Sequence, residues 1–453
     1  MIPFVAAVAV TVLFGMLVAY GTRSSCFEAN VEVTCPTDPV GPEGKPVSDK
    51  FAFAHRSMGE NGSITVRLAA MTGTITYPPP DHDEIVSGLV PWAKAGIIVK
   101  DGTRQGSSYA ALMLTGQHGV RMQYDYTHDI AGAAVPPSAP RWLRLVRAGK
   151  TITGYESSDG QQWTEVGAAR LDALPTTVAV GLFATSPGDL TLHRVALGGA
   201  IEQSRFTQAV GVFDHVTVDG GSGGWRDGTV GEMGHTDWEK YHRASGVVRS
   251  GDTVEVSGTG DIGPVGTEGG RDVEDVLIGL PIGLLIVVVV AARRGRRAIL
   301  PAFGTGLVAA GITVPLGAAV LGANGVGVHP VSVLTGVRVV VGVAVLFALA
   351  AGFVIGLRAL LRRTWLAVLV GIATVVVPYL LAALPLLPDG VSDWLLRITP
   401  AAGFAVLQTV REYPQVLAHY APSAGYFPLP WWAGLAVLFG FAAAALTPKI
   451  KAL

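Results

Sequence analysis

The sequence is short of charge. Asp, Glu, Lys and Arg make up 15% of its 453 residues, where a soluble globular chain carries about 25%. The shortage is uneven. Residues 22–275 are polar and strand-like in pattern, whereas residues 1–21 and 276–453 are almost free of charge between short basic clusters. The net charge of −1 hides that division and gives no footprint for nucleic acid, so no nucleic-acid partner is expected. Cysteine is nearly absent too. Cys26 and Cys35 are the two in the chain, with eight residues between them. A disulfide between them would close a small loop and would require an oxidising compartment; two free thiols are the alternative.

Apolar sequence is what abounds. A helix rises 1.5 Å per residue, so crossing a bilayer's hydrocarbon takes about 20 apolar residues. Six runs qualify: residues 2–20, 276–292, 298–321, 339–357, 365–387 and 431–446. None contains Asp, Glu, Lys or Arg, and proton relays and ion pathways are built from such residues. That counts against an ion-coupled carrier or pump. The first run lacks a basic start and an A-x-A cleavage site, so it is expected to be an uncleaved anchor. Pro281, Pro301, Pro315, Pro378 and Pro385 are expected to kink or break their helices.

Basic residues alternate between the runs. Arg293, Arg294, Arg296 and Arg297 follow the second run, Arg358, Arg362 and Arg363 the fourth, and Lys449 and Lys451 the sixth. The other short connections hold only Arg338, Arg397 and Arg411. Short cytoplasmic loops collect Lys and Arg, so the pattern fits six spans with both ends inside and residues 21–275 outside. Trp365, Trp431 and Trp432, at run ends, read as an interfacial belt. DWLLRITPAAGFAVLQTV (393–410) reads as a short outer helix interrupted at Pro400, with Trp394, Leu395, Leu396 and Ile398 in apolar contact. Capping a path and lying in the interface are both open roles for it.

Residues 50–260 alternate with period two between turn signals. GSITVRLAAMTG (62–73) is one strand. AGIIVKDG (95–102) pairs with SYAALMLTG (108–116), and GVRMQYDY (119–126) follows. In the stretch from 141 to 167, Trp142, Arg144 and Val146 project to one face and Leu143, Leu145 and Arg147 to the other. Ala148-Gly149 and Asp159-Gly160 supply its turns. Strands this short and frequent predict a β-sandwich. FDHVTVDG (213–220), GGSGGWRDG (220–228) and SGDTVEVSGTGDIGP (250–264) read as an accessory β segment returning to the membrane. His215, His235 and His242 lack metal-ligand spacing and read as surface histidines. AGKT (148–151) ends like a phosphate loop, but Arg144 stands where that loop needs glycine, and the stretch lies between strands. There is no H-E-x-x-H and no paired C-x-x-C. No nucleophilic triad, metal site or cofactor site is expected.

AGIIVKDG, WLRLVRAGKTITGYESSDGQQWTEVG (142–167) and VAVGLFATS (178–186) together resemble the concanavalin A-like lectin/glucanase superfamily, specifically the small jelly-roll modules of bacterial surface proteins, over residues 49–200. The resemblance implies an all-β jelly roll that binds glycan or serves as a folded spacer. The E-x-D-x-x-E run of the glucanase members is missing, so no pair of hydrolytic carboxylates is nominated. Trp92, Trp142 and Trp163 are candidate glycan contacts; core or hairpin packing is the alternative for strand residues.

ITVPLGAAVLGANG (312–325), VSVLTGVRVVVGVA (331–344), the 393–410 stretch and YPQVLAHYAPSAGYFPLPWWAGLAVL (413–438) resemble the permease subunits of type-2 ATP-binding-cassette (ABC) transporters of actinobacterial, high-GC Gram-positive type. Some of these carry a jelly-roll insert between spans one and two. The resemblance covers essentially the whole chain. It implies span one at 1–21, a disulfide-loop linker at 22–48, the extracellular sandwich at 49–200, the accessory segment at 201–275 and a five-span bundle at 276–453. It further implies a multi-pass protein of the bacterial plasma membrane that is not itself an enzyme. Its partners would be a cytoplasmic ATP-binding subunit, a second permease copy (identical or different), the lipid bilayer and a surface glycan. Such permeases usually begin with a cytoplasmic amphipathic helix and carry a longer loop after span two; here Met1 is almost inside the first run and only AARRGRRAIL (291–300) joins runs two and three. Arg293, Arg294, Arg296, Arg297, Arg358, Arg362 and Arg363 are candidates for facing the ATPase, or they only fix topology. An uncharged path favours export of lipid-like or drug-like cargo. The alternative is a surface glycan- or protein-binding module for which the helices are an anchor.

Overall fold

The computed structural model describes residues 2–28, 31–33, 37–76, 85–194, 200–233, 245–265, 273–329 and 331–447. Cys35, His235, His242, Lys449 and Lys451 lie outside the described residues. Helix α1 (Ile2–Gly21) precedes eighteen strands: β1 (Cys26–Glu28), β2 (Val31–Val33), β3 (Val47–Asp49), β4 (Phe51–Thr76), β5 (Ile85–Ser87), β6 (Lys94–Lys100), β7 (Tyr109–Thr115), β8 (Val120–Tyr124), β9 (His128–Ala131), β10 (Arg141–Ala148), β11 (Thr151–Ser157), β12 (Thr164–Arg170), β13 (Val178–Thr185), β14 (Asp189–Arg194), β15 (Ala200–Val230), β16 (Gly246–Ser250), β17 (Thr253–Gly258) and β18 (Ile262–Pro264). The helices α2 (Leu280–Arg294), α3 (Ile299–Ala323), α4 (Val333–Leu361), α5 (Thr364–Val375), α6 (Val377–Ala383), α7 (Asp389–Ile398) and α8 (Trp431–Leu446) follow.

The β part is a large sandwich whose layers diverge from β4. Residues 52–58 of β4 pair with β13 and residues 61–68 with β10, while β15 runs along its other edge. One branch continues β13-β6-β7-β8-β9 and the other β10-β11-β12. Their inner faces meet. A Cβ added at Gly154 of β11 would lie 3.0 Å from Met122 of β8 and 3.4 Å from Leu112 of β7. Leu143, Leu145, Ile64 and Val66 share the enclosed core with Ile97, Val99, Leu112 and Met122. The alternation expected along 142–147 is present: Leu143, Leu145 and Arg147 are buried, whereas Trp142, Arg144 and Val146 are half-buried on the outer face. The tight turn falls one residue later than expected. Ala148 pairs with Thr151, leaving Gly149 and Lys150 at the apex, with Gly149 at φ +61°. Glycine reaches that angle without a Cβ clash.

The expected break at residue 200 is absent from the sheet. β15 continues the same sheet and stays paired with β4 from Phe206↔Thr76 to Val230↔Phe51. Four register shifts along this pairing, the last between Ser222 and Arg226, let so long a strand bend. The Gly-rich stretch at 220–228 is therefore a bulged strand rather than a separator.

Among the described residues, four helical stretches are long and apolar enough to cross a membrane: Ile2–Gly21, Leu280–Ala323, Val333–Leu361 and Thr364–Ala383; Trp431–Leu446 is shorter. The count by length differs from the expected six for two reasons: α2 and α3 join through a 3-10 turn at Gly295–Ala298 and count as one stretch, and α8 is too short to count. That turn folds the stretch back. Val276, just before α2, meets Gly317 near the end of α3, and both Val276 and Thr313 meet Gly15 of α1. The prolines act by position. Pro281 sits in the first turn of α2, where its missing N–H costs nothing. Pro315 lies inside the continuous α3. Pro378 follows the break at Val376 between α5 and α6. The outer helix breaks before Pro400 as expected, and residues 400–407 form a 3-10 segment in which every residue is buried. Gly403 packs on Leu346 and Leu438, and Val406 on Gly342.

Candidate functional site

At one end of the helices stand the arginines that the sequence picks out. Arg293, Arg294, Arg296, Arg297, Arg358, Arg362 and Arg363 are all exposed there. Arg358 donates from Nη1 to the carbonyls of Ala292 (2.7 Å) and Arg293 (3.0 Å), satisfying acceptors that the end of α2 leaves open. The Arg294 guanidinium lies 5.7 Å from the Phe4 ring centre, which brings the start of α1 to this end. Arg362 takes φ +56° and closes α4 with a bond from its N–H to the Arg358 carbonyl.

At the opposite end Asn324 donates from Nδ2 to the carbonyls of Ala19 (3.0 Å) and Thr22 (3.1 Å). One side chain at the end of α3 thereby caps α1. Arg338 donates to the Gln408 carbonyl at 2.5 Å and lies 5.8 Å from the Trp431 ring centre. A cavity of about 390 Å³ opens here, lined by Glu43 and Lys45 from the β part and by His329, Thr335, Arg411 and Tyr413 from the helical part.

On the β part the three candidate tryptophans separate. Trp92 is 3% exposed and stacks on His118, ring centres 4.1 Å apart. Burial removes it as a ready glycan platform. Trp142 and Trp163 are half-buried around one residue that the sequence did not nominate. Arg144 places its guanidinium carbon 4.0 Å from the Trp163 ring centre and donates from Nε to Thr65 Oγ1 at 2.9 Å. Trp142, two residues back on the same face of β10, meets His215 edge-on at 5.2 Å.

Strand register builds the rest of this face. Trp142 stands opposite Arg67 and Arg67 opposite Asp214; Arg144 stands opposite Thr65 and Thr65 opposite Thr217. Arg67 grips Asp214 with two bonds, 2.8 and 2.5 Å, and His215 Nδ1 lies 2.9 Å from the same carboxylate. The Arg67 hydrogen bond holds the Asp214 carboxyl below its ordinary value. An open groove of about 520 Å³ adjoins, with Ser63, Thr65, Arg144, Thr217 and Asp219 on its walls. Planar rings and guanidinium beside hydroxyls and a carboxylate can stack a flat apolar face and bond to hydroxyl groups. Arg144 was legible only as a residue alternating with Trp142; its contact with Trp163 needs β11 and β12 folded back.

No group of three or more His, Cys, Asp or Glu able to hold a metal occurs among the described residues. There is no free cysteine among them either, and Cys35, the expected partner of Cys26, lies outside them. The spacing G-x-S-x-G does occur once, at 220–224. It lies within β15, with Ser222 paired to Ser57, rather than at a strand-to-helix elbow.

No family model matches this chain, and no curated protein does. Among solved structures, the chain is similar to the GH43 BlXynB protein from Bacillus licheniformis (18% identity, 28% of this chain and 24% of that one, TM-score 0.20). It thus spans about a quarter of that protein. It is also similar to scytalido-glutamic peptidase (8% identity, 46% and 98%, TM-score 0.29) and to lectin I-B4 from Griffonia simplicifolia (10% identity, 46% and 91%, TM-score 0.21). The expectation that the chain is not an enzyme is corrected: a glycoside hydrolase family member and a peptidase stand beside a lectin among the similar structures, so that exclusion is withdrawn. At these identities and TM-scores the likenesses assign neither a residue nor an activity.

Proposed function

We propose that the chain is the membrane-spanning permease subunit of an ABC exporter. In this reading it crosses the bilayer six times, with its β domain outside, and is driven by a separate cytoplasmic ATPase. The spans are α1, α2, α3, α4, the α5–α6 pair and α8. The observation that carries the reading is the gathering of Arg293, Arg294, Arg296, Arg297, Arg358, Arg362 and Arg363 at one helix end, away from the β part. Basic residues concentrate on the cytoplasmic side, where an ATPase would dock. A second chain of this kind would complete the path.

The test is purification from membranes in mild detergent with the ATPase encoded beside it. A stable complex whose ATP hydrolysis falls when Arg293, Arg294, Arg296 and Arg297 become Ala supports the reading. Topology is read separately with single-cysteine variants in a Cys26→Ser, Cys35→Ser background. A thiol reagent that cannot cross lipid should label a cysteine placed at Asp159 and spare one at Gly295. Labelling of the second from outside would sink the proposal.

A second reading has its own support in the Trp142–Arg144–Trp163 face, whose chemistry suits a saccharide. Binding of the purified chain to a glycan array, lost in Trp163→Ala and without any ATPase partner, would favour a surface-binding role.

A further inference from the structure

Strand β6 buries both faces, yet it begins and ends in lysine, and both lysines are wholly enclosed. Lys100 Nζ lies 2.7 Å from Asp49 Oδ2, and neither side chain reaches solvent. The Lys100 ammonium lies 5.6 Å from the Tyr109 ring centre and 5.5 Å from that of Tyr126. The pair's hydrogen bonds are unevenly placed. Asp49 Oδ2 also accepts from the Gly106 N–H (2.8 Å) and the Tyr126 hydroxyl (2.7 Å). Oδ1 is buried and has no hydrogen-bond partner. Lys100 Nζ is 3.0 Å from both the Ser107 carbonyl and the Tyr126 oxygen. Desolvation pushes the Lys100 ammonium below its ordinary pKa, against the pull of Asp49.

We propose that Lys100 and Asp49 are a self-modification site at which the two side chains condense into an intramolecular amide. Burying two charges is costly, so the pair can neutralise itself by passing the ammonium proton to the carboxylate. That proton goes to Oδ2, the carboxylate oxygen that Nζ bonds; the two remaining Nζ hydrogens face the Ser107 carbonyl and the Tyr126 oxygen. The neutral amine turns from Oδ2 to the adjoining carboxyl carbon and adds to it, and the C=O electron pair moves onto Oδ1. One Nζ proton then passes to the Oδ2 hydroxyl, which leaves as water, and C=Oδ1 re-forms. Gly106 N–H and Tyr126 O–H already point at Oδ2 and stabilise it as it departs. Amine and acid give amide and water, with no oxidant, reductant or activating group. A desolvated lysine is the nucleophile such a step requires.

The chain carries its own comparison. Lys94, at the other end of β6, bonds Asp261 Oδ1 at 2.5 Å and the Ile262 carbonyl at 2.6 Å. Asp261 is 16% exposed, and its Oδ1 takes the backbone N–H of Ile262. Water reaches this carboxylate, so the enclosure that drives the condensation at Asp49 is missing here.

The test is the intact mass of the full-length chain, purified in detergent, denatured and thiol-reduced. We expect the mass to fall short of the sequence mass by one water, and a protease digest to contain one branched peptide joining Lys100 to Asp49. Lys100→Arg keeps the charge and cannot form the amide, so it should restore the full mass. An unmodified wild-type mass overturns the proposal. So does a water loss that persists in Lys100→Arg, or a branched peptide that maps to Lys94 and Asp261.

Discussion

Arg144 and Trp163 are stacked, guanidinium carbon to ring centre 4.0 Å, so that the middle of β10 is tied to the residue before β12 across the whole of β11. A cation over an indole at a partly exposed site contributes about 0.5–1 kcal/mol. A double-mutant cycle with Arg144→Ala and Trp163→Ala should return a coupling of about that size. The readout is the thermal unfolding of the detergent-purified chain followed by tryptophan fluorescence. Strictly additive losses would mean that the stack contributes nothing.

Asn324 holds the carbonyls of Ala19 and Thr22 with one amide group. Asn324→Ala should cost about 1–3 kcal/mol, since it strands acceptors at a helix end. Asn324→Asp, which keeps the shape but turns an acceptor toward those carbonyls, should cost at least as much. A melting temperature unchanged in both variants would remove Asn324 as the cap of α1.

Two glycines of α8 should respond oppositely to the same substitution. A Cβ at Gly434 would meet the Ala402 carbonyl oxygen at 2.1 Å, whereas nothing lies within 4 Å of one at Gly440. Gly434→Ala should destabilise by about 1–3 kcal/mol through forced displacement of the buried 400–407 segment. Gly440→Ala should be neutral or slightly stabilising, because alanine favours helix. Equal melting temperatures for the two variants would contradict the packing of α8 on residues 400–407.

The Arg67 hydrogen bond is the largest cause of the depressed Asp214 pKa; burial opposes it and His215 adds to it. A carboxyl whose folded pKa lies below its unfolded one stabilises the fold fully above the ordinary value of 3.8 and loses that contribution as pH falls through the folded value. Arg67→Gln should therefore narrow the stability difference between neutral and strongly acidic solution. The effect should shrink in high salt, because the pair is partly exposed. Identical acid limbs for wild type and variant would show that Arg67 does not set the Asp214 titration.

Much of the fold was legible because it rests on local periodicity. The strands at 95–100, 109–115, 141–148, 151–157 and 178–185 follow from alternation between turn residues. Arg147 was correctly placed on the face of Leu143 and Leu145, although nothing local says that this face is buried or that its guanidinium would find the carbonyls of Gly59 and Pro175. The candidate site was half legible. Trp142 and Trp163 were visible as aromatics near a hairpin. Arg144, Asp214 and His215 join them only through the register of β10, β4 and β15. Trp92 took the core-packing alternative, with His118 stacked on it.

The apolar runs, the basic clusters and the alternating strand segments can be read from the residues alone, since they depend on neighbours within a turn or two of one another. Tertiary structure alone decided that residues 200–230 would complete the sheet begun at Phe51, that residues 400–407 would be buried without being α-helical, and that Lys100 and Asp49 would be shut away together. Those outcomes depend on pairings between segments far apart in the chain, whose free energy comes from burial and hydrogen bonding that no local composition records.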